Sequence, residues 1–292
     1  MSEYGSNSSK PTTTRFKAAK RIADIVLKMW RKRRLFPRIK KNQNFTKFKQ
    51  RKSQVAPSTP IVFFDVDGTL SRNNLLMMFM HTLSLRNVLP PKKAKKLLRA
   101  QREFKNRRWR FDTYEQAVID SVEELAGLPK WLFDHIADVM LDEFGATYYV
   151  ITMTLLKKLQ ELGFRLYAVT GAPNFILPKY FDRIGLEVDG IFATDFIFED
   201  NVFSGQVNID IVQDKGGFIS AKQEDLNFDI KQSVFLGDTE GDISLMEIVG
   251  MPLGINPNQV LVKFCKEHGI PFVVERKNLI LLVDPKAGKV VF

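Results

Sequence analysis

One short apolar run that ends in carboxylates constrains this chain most. Ile61-Val62-Phe63-Phe64 leads directly into Asp65-Val66-Asp67-Gly68-Thr69. Four consecutive β-branched or aromatic residues without polar alternation read as a strand buried on both faces, as in a parallel sheet. Two later runs repeat the design: Arg165 to Thr170 stops at Gly171, and Ser233 to Leu236 closes in Gly237-Asp238. Pro252 to Ile255 and Phe272 to Val274 are two more expected strands, and Ile191 to Val207 alternates about Glu199-Asp200-Asn201 as a hairpin does. Helical patterns over 149–163 and around Pro178 to Ile184 fall between the strands. That alternation predicts a doubly wound α/β fold, a parallel sheet with helices on both faces. Residues 72–145 are mostly helical in pattern, broken at Pro90-Pro91 and Gly127-Leu128-Pro129. They are too long for one crossover helix and are expected to form a helical cap inserted after the first strand.

Charge divides the chain. Of its 292 residues, the first 60 hold 17 Lys and Arg against Glu3 and Asp24, a balance of +15 within a total of +11, which leaves −4 for the rest. A basic arm over 1–57 and a folded domain over 58–292 follow. The first 14 residues, rich in Ser, Thr, Asn and Gly, read as disordered. Phe16, Ala19, Ile22, Ala23, Val26, Met29 and Trp30 recur at spacings of three and four among basic residues, which predicts an amphipathic helix over about 15–36, stopped near Pro37. Such an arm is suited to a polyanion. The first expectation is an anionic membrane surface met through 15–52, with the apolar stripe in lipid. Nucleic acid is the second. No apolar run reaches the ~18 residues of a membrane span, and no secretory h-region is present. The expected location is cytoplasmic, peripheral to the membrane, with an organelle transit peptide as the alternative for an acid-poor N-terminus. The single Cys265 excludes an internal disulfide, and His81, His135 and His268 lack metal-ligand spacing.

Three strand ends carry polar residues suited to one reaction, and ligands of open α/β sheets gather at strand carboxyl ends. Asp65 and Asp67, one residue apart, can divide attack on phosphorus from proton transfer. Thr170 and Gly171 offer a hydroxyl and an amide to a phosphate oxygen. Gly237-Asp238-Thr239-Glu240-Gly241-Asp242 spaces its carboxylates as a hard cation requires. Lys215 opens the preceding helix and supplies fixed positive charge.

These stretches resemble a known family. DVDGT at 65–69 is similar to the first motif of the haloacid dehalogenase superfamily, VTGAP at 169–173 to the second, Lys215 to the third and GDTEGD at 237–242 to the fourth. The interval from Lys215 to Asp238 is similar to that of phosphoserine-phosphatase-like members, and the likeness covers about 61–275. It implies a Rossmann-like core with a helical cap, and an Mg²⁺-dependent phosphomonoester hydrolase. Asp65 would form an aspartyl-phosphate, and Asp67 would protonate the leaving alcohol and then activate water. Thr170, Gly171 and Lys215 would hold the phosphoryl group. The metal residues would be Asp65, Asp67 through its backbone carbonyl, Asp238 and Asp242, the last holding a metal-bound water or Lys215. An acid at Asp67 favours a phosphatase over a dehalogenase or a transport ATPase. A non-catalytic binding protein on a phosphatase-like core is the remaining alternative.

The substrate should be set by the cap. The positions where phosphoserine phosphatases read the amino and carboxylate groups of their substrate fall here on Asn74 and Ser121, which argues against phosphoserine. Lys92 to Arg110 instead carries ten basic residues and only Glu103. A phospholipid head group or a small phosphometabolite is the expected substrate, and a phosphorylated nucleic-acid end is the alternative.

Overall fold

The structure, a computed structural model, describes residues 13–32, 60–105 and 111–291. In chain order the elements are α1 (Thr13–Lys32), β1 (Ile61–Phe64), α2 (Leu75–Leu85), α3 (Pro91–Lys105), α4 (Phe111–Val122), α5 (Lys130–Phe144), α6 (Val150–Glu161), β2 (Arg165–Pro173), α7 (Leu177–Ile184), β3 (Gly190–Glu199), β4 (Val202–Asn208), α8 (Asp210–Gln213), α9 (Lys215–Ser220), α10 (Gln223–Leu226), β5 (Val234–Gly237), α11 (Ile243–Ile248), β6 (Met251–Ile255), α12 (Gln259–His268), β7 (Phe272–Arg276), β8 (Leu279–Asp284) and β9 (Lys289–Val291). The described residues form two compact units. One comprises Val66–Tyr149 and Ala168–Gln213, and the other holds the remainder.

The second unit is built on the strand order β1-β5-β6-β7-β8-β9, with the first residues of β2, 165–167, included in it. β1, β5, β6 and β7 run parallel, with Val62 opposite Val234 and Leu236 opposite Leu253. β1 and β5 are buried at every residue, as expected of apolar runs without alternation. The first residue of β2 donates to the Pro60 carbonyl at 3.0 Å, beside the start of β1. The chain therefore leaves β1 for one neighbour and later returns to its other side as β5. That reversal is the switch point at which open α/β sheets bind ligands. β8 and β9 extend the sheet antiparallel to β7, an addition that the sequence pattern did not announce because both strands are short and half exposed.

α1 belongs to this unit. Ala19, Ile22, Ala23, Val26, Leu27 and Trp30 are only 0–7 % exposed, and the helix packs against α6 and β8. Arg15 pairs with the buried Glu275 of β7, whose other carboxylate oxygen accepts the Ile151 N–H at the start of α6 at 2.8 Å. Asp24 pairs with Lys158 of α6. The expectation that this stripe inserts into lipid is corrected. Ile22, Val26 and Trp30 are already covered by protein, while Lys17, Lys20, Arg21, Lys28 and Arg31 face outward. No described helix is long and apolar enough to cross a membrane. The rest of the basic arm, 33–57 together with 1–12 and so most of the stretch expected to be disordered, lies outside the described residues.

In the first unit, α2 to α5 occupy the stretch expected to be helical. Their core is aromatic. Phe79 stacks on Phe133 at 5.6 Å, and Phe133 meets Phe175 and Phe198 edge-on at 5.3 and 5.0 Å, within the range of favourable ring pairs. The hairpin β3–β4 closes over this cluster, with Phe196 stacked on Phe203 at 5.3 Å. Backbone bonds from Gly127 to Phe203 and from Phe203 to Leu128, each 2.9 Å, tie the hairpin to the helical stretch. The two positions expected to be vacant of charged substrate readers are spent locally. Asn74 caps α2 by accepting the Met77 N–H, and the Ser121 hydroxyl donates to the Ala117 carbonyl of its own helix. In α3, Lys93 and Lys96 pair with Glu124 and Asp120, so part of the basic run is spent on packing α3 against its neighbour. Residues 106–110 of that run lie outside the described residues.

Trp30→Ala should destabilise the full-length protein by about 3–5 kcal/mol, the usual cost of emptying a buried aromatic site. Urea unfolding measures it, and a loss under about 1 kcal/mol would mean that the helix face is not buried in solution.

Candidate active site

Asp65 directly follows β1 and extends its pairing, its amide donating to the Leu236 carbonyl at 2.9 Å. Its buried carboxylate faces Lys215, whose ammonium lies 2.8 Å from Asp65 Oδ1 and 2.6 Å from Asp242 Oδ1. Lys215 stands at the first position of α9 because Asp214 caps that helix, accepting the Gly217 N–H at 3.0 Å. This amide bond holds the Asp214 carboxyl below its ordinary range. Gly216 lets α9 approach α11, since a Cβ there would sit 2.5 Å from the Ser244 carbonyl oxygen.

Asp242 has both oxygens engaged. Oδ1 takes Lys215, and Oδ2 accepts the amides of Asp238 and Thr239 at 2.8 and 3.0 Å. Thr239 and Asp242 form a reciprocal capping box at the turn after β5. Burial alone would lower the Lys215 pKa, but the charges of Asp242 and Asp65 outweigh it and leave the pKa above its ordinary value. A lysine raised in this way adds stability at every pH below its unfolded value of about 10.4 and loses it only as pH climbs through the folded value. The ammonium is thus intact at neutral pH.

The carboxylates of Asp65, Asp238 and Asp242 each offer an oxygen, and these atoms lie within 4.8 Å of one another. An all-oxygen donor set suits a hard cation such as Mg²⁺, which takes few carboxylates and keeps several waters. Asp65 and the half-buried Asp238 are the members fit to hold it directly. Asp242 is committed to Lys215 and to the turn, so its place is to orient those groups.

Asp67, Thr170 and Gly171 belong to the other unit. Gly68, at φ 86°, turns the chain just after Asp67, a conformation that glycine adopts without the strain of a Cβ. Asp67 Oδ1 accepts the Leu75 N–H at 3.1 Å, at the start of α2. Thr170 is fully buried, and its Oγ1 accepts the Ala172 N–H at 3.2 Å, which leaves its own O–H to donate. Gly171 follows it at half exposure. A Cβ on Gly171 would make only ordinary contact with Val212, so sterics alone do not demand glycine there. Lys222, the other lysine near this motif, is an exposed partner of Asp225. Cys265 is buried, and burial pushes its thiol up to about 12, which keeps it inert.

The structure adds two residues that the motifs do not mention, Asp214 as the cap that presents Lys215 and Ser244 beneath Gly216, and it joins Thr239 and Asp242 of the fourth motif in a capping box. The box was readable as a Thr-x-x-Asp spacing. The Ser244 contact was not, because it joins two helices separated by a strand.

Gly237→Ala tests this packing. The added Cβ would lie 2.5–2.7 Å from the Asp242 side chain, which three hydrogen bonds hold in place. A destabilisation of about 1–3 kcal/mol in urea unfolding is expected, together with loss of turnover; an unchanged enzyme would place Asp242 elsewhere in solution.

The chain compares with known proteins as this geometry leads one to expect. It is 23 % identical over 233 residues to a putative hydrolase of Mycobacterium leprae, covering 74 % of each chain. It is 25 % identical over 228 residues to a phosphoserine phosphatase of Mycobacterium tuberculosis, covering 72 % of this chain and 69 % of that one. Among solved structures, a Bordetella pertussis protein of unknown function matches with a TM-score of 0.59 at 17 % identity, over 74 % of this chain and 98 % of that one. A hydrolase from Salmonella enterica serovar Typhi matches with a TM-score of 0.51 at 18 % identity, over 71 % of this chain and 66 % of that one. These two structures share the fold. The profile of the haloacid dehalogenase-like hydrolases spans residues 62–247, from the second residue of β1 to beyond the Asp238–Asp242 turn, and the chain belongs to that family.

Proposed function

We propose that this hydrolase cleaves phosphomonoesters through an aspartyl-phosphate on Asp65, with Mg²⁺ as its cation. The main support is the Lys215 bridge, a permanent positive charge 2.8 Å from a strand-end carboxylate with Asp238 in the same cluster. A bare carboxylate repels a phosphate dianion. Phosphoryl transfer therefore depends on positioning and on charge neutralisation at the phosphoryl oxygens. A bound Mg²⁺ would supply Lewis-acid neutralisation there.

In the first step an Asp65 oxygen attacks phosphorus, the P–O bond to the leaving group breaks, and Asp67 gives its proton to the departing oxygen. In the second, water attacks the same phosphorus, Asp67 takes the proton, and the P–O bond to Asp65 breaks to release inorganic phosphate. Thr170 donates its hydroxyl and Gly171 its amide to phosphoryl oxygens, and Lys215 offsets charge on the oxygen of Asp65. Asn74 and Ser121, bonded within their own helices, support a substrate other than an amino-acid phosphate. With the apolar face of α1 covered, a small soluble phosphomonoester is favoured over a membrane lipid.

The test uses the full-length chain and p-nitrophenyl phosphate. Turnover should require Mg²⁺, vanish with EDTA and return on adding the metal. Asp65→Asn should lose about a thousandfold or more while keeping its unfolding midpoint. Wild-type turnover in Asp65→Asn would overturn the nucleophile assignment.

A further inference from the structure

The loop that carries Asp67 is closed on itself and then gripped from behind. The amides of Leu70 and Ser71 donate to the Val66 carbonyl at 2.9 and 2.7 Å, and Gly68 donates to the Ser71 carbonyl at 2.9 Å. Asp67 and Ser71 form a bridge across this turn, and Ser71 forms a second bridge with Tyr148. Asn73 Nδ2 donates to Thr147 Oγ1 at 3.0 Å, and Arg72 Nε donates to the Tyr148 carbonyl at 3.0 Å. The outgoing segment 70–73 is thereby fastened to the returning segment 147–149.

Tyr180 of α7 reaches the same place. Its side chain is fully buried, and its hydroxyl donates to the Thr147 carbonyl at 2.9 Å. Burial, with the charge of Asp67 adding to it, holds this phenol above its ordinary range. Packing does not explain the hydroxyl. Leu177, Phe181 and Ile184 fill the buried face of α7 with apolar groups, and a phenylalanine at 180 would occupy the same space without the cost of burying a polar group. What the hydroxyl adds is a hold on Thr147, whose own side chain accepts from Asn73, six residues from Asp67.

We infer that Tyr180 is a positioning residue for Asp67, its hydroxyl holding Thr147 and so fixing the segment that fastens the loop aiming the carboxyl at the leaving oxygen. This role rests on Asp67 being the proton donor of the proposed reaction. A misaimed acid costs most where the leaving group most needs a proton. Nitrophenolate departs readily without one; phenolate and alkoxides do not. A merely structural defect would lower activity on all esters alike.

The experiment measures kcat/KM of the full-length Mg²⁺-loaded protein on phenyl phosphates, from nitrophenyl to unsubstituted phenyl, for wild type, Tyr180→Phe, Ser71→Ala and Asp67→Asn. Tyr180→Phe should lose about tenfold on phenyl phosphate and less than about twofold on p-nitrophenyl phosphate, since small misplacements of a catalytic group are costly. Ser71→Ala, which removes the Oγ that accepts the Asn73 N–H inside the same loop, should steepen the leaving-group dependence in the same direction, as should Asp67→Asn more strongly. An even loss across the series in Tyr180→Phe and Ser71→Ala, or no loss, with Asp67→Asn still steep, overturns the role of Tyr180 alone. A flat profile in Asp67→Asn overturns Asp67 as the acid and the role of Tyr180 with it. If Tyr180→Phe melts much below wild type, Ser71→Ala decides the outcome.

Discussion

A single buried ammonium organises the catalytic end of this sheet. Lys215 sits between Asp65 and Asp242, and a charge so deeply placed is tolerated only when it is paired and hydrogen-bonded. Each neighbouring feature serves that pairing. Asp214 starts α9 so that residue 215 is presented, Gly216 lets the helix approach Ser244, and Gly237 leaves the space that the Asp242 side chain fills. The second oxygen of Asp242 holds the amides of Asp238 and Thr239, so the lysine and the turn bearing Asp238 are fixed by one carboxylate. Removing any partner would leave a desolvated charge uncompensated.

The loop that carries Asp67 is built differently. Asp67 is half exposed and lies on a glycine turn whose grip comes from hydrogen bonds to 70–73, 147–149 and α7. Its carboxylate also meets the first amide of α2. The unit that holds it is packed mainly through phenylalanines, whose rings supply large apolar area with few rotatable bonds. A half-exposed loop leaves that carboxyl open to water, where a sealed ion cluster does not.

Much of this was legible in advance. β1, β2 and β5 announced themselves as apolar runs ending in polar residues, because strands buried on both faces lack alternation. Asp65, Lys215, Asp238 and Asp242 were recognisable from residue type and order, and the structure brings these four together. Less was legible at the chain's ends. A basic amphipathic helix reads the same whether its apolar face meets lipid or protein, so the pattern points α1 to a membrane although α6 and β8 cover it. Glu275, buried under Arg15 at the start of α6, carries no local pattern.

The sequence by itself therefore determined the periodic and the local: the strands, the turn after Asp67, the capping box and the chemistry available at each strand end. Those follow from near neighbours, because hydrophobic period, φ preference and capping act over a few residues. Only the tertiary structure decided which distant groups share a hydrogen bond. It gave Asp242 to Lys215, set Tyr180 behind Thr147 and spent the apolar face of α1 on the core. Pairings of that kind depend on how the sheet brings remote segments to one place, and no spacing along the chain encodes that distance.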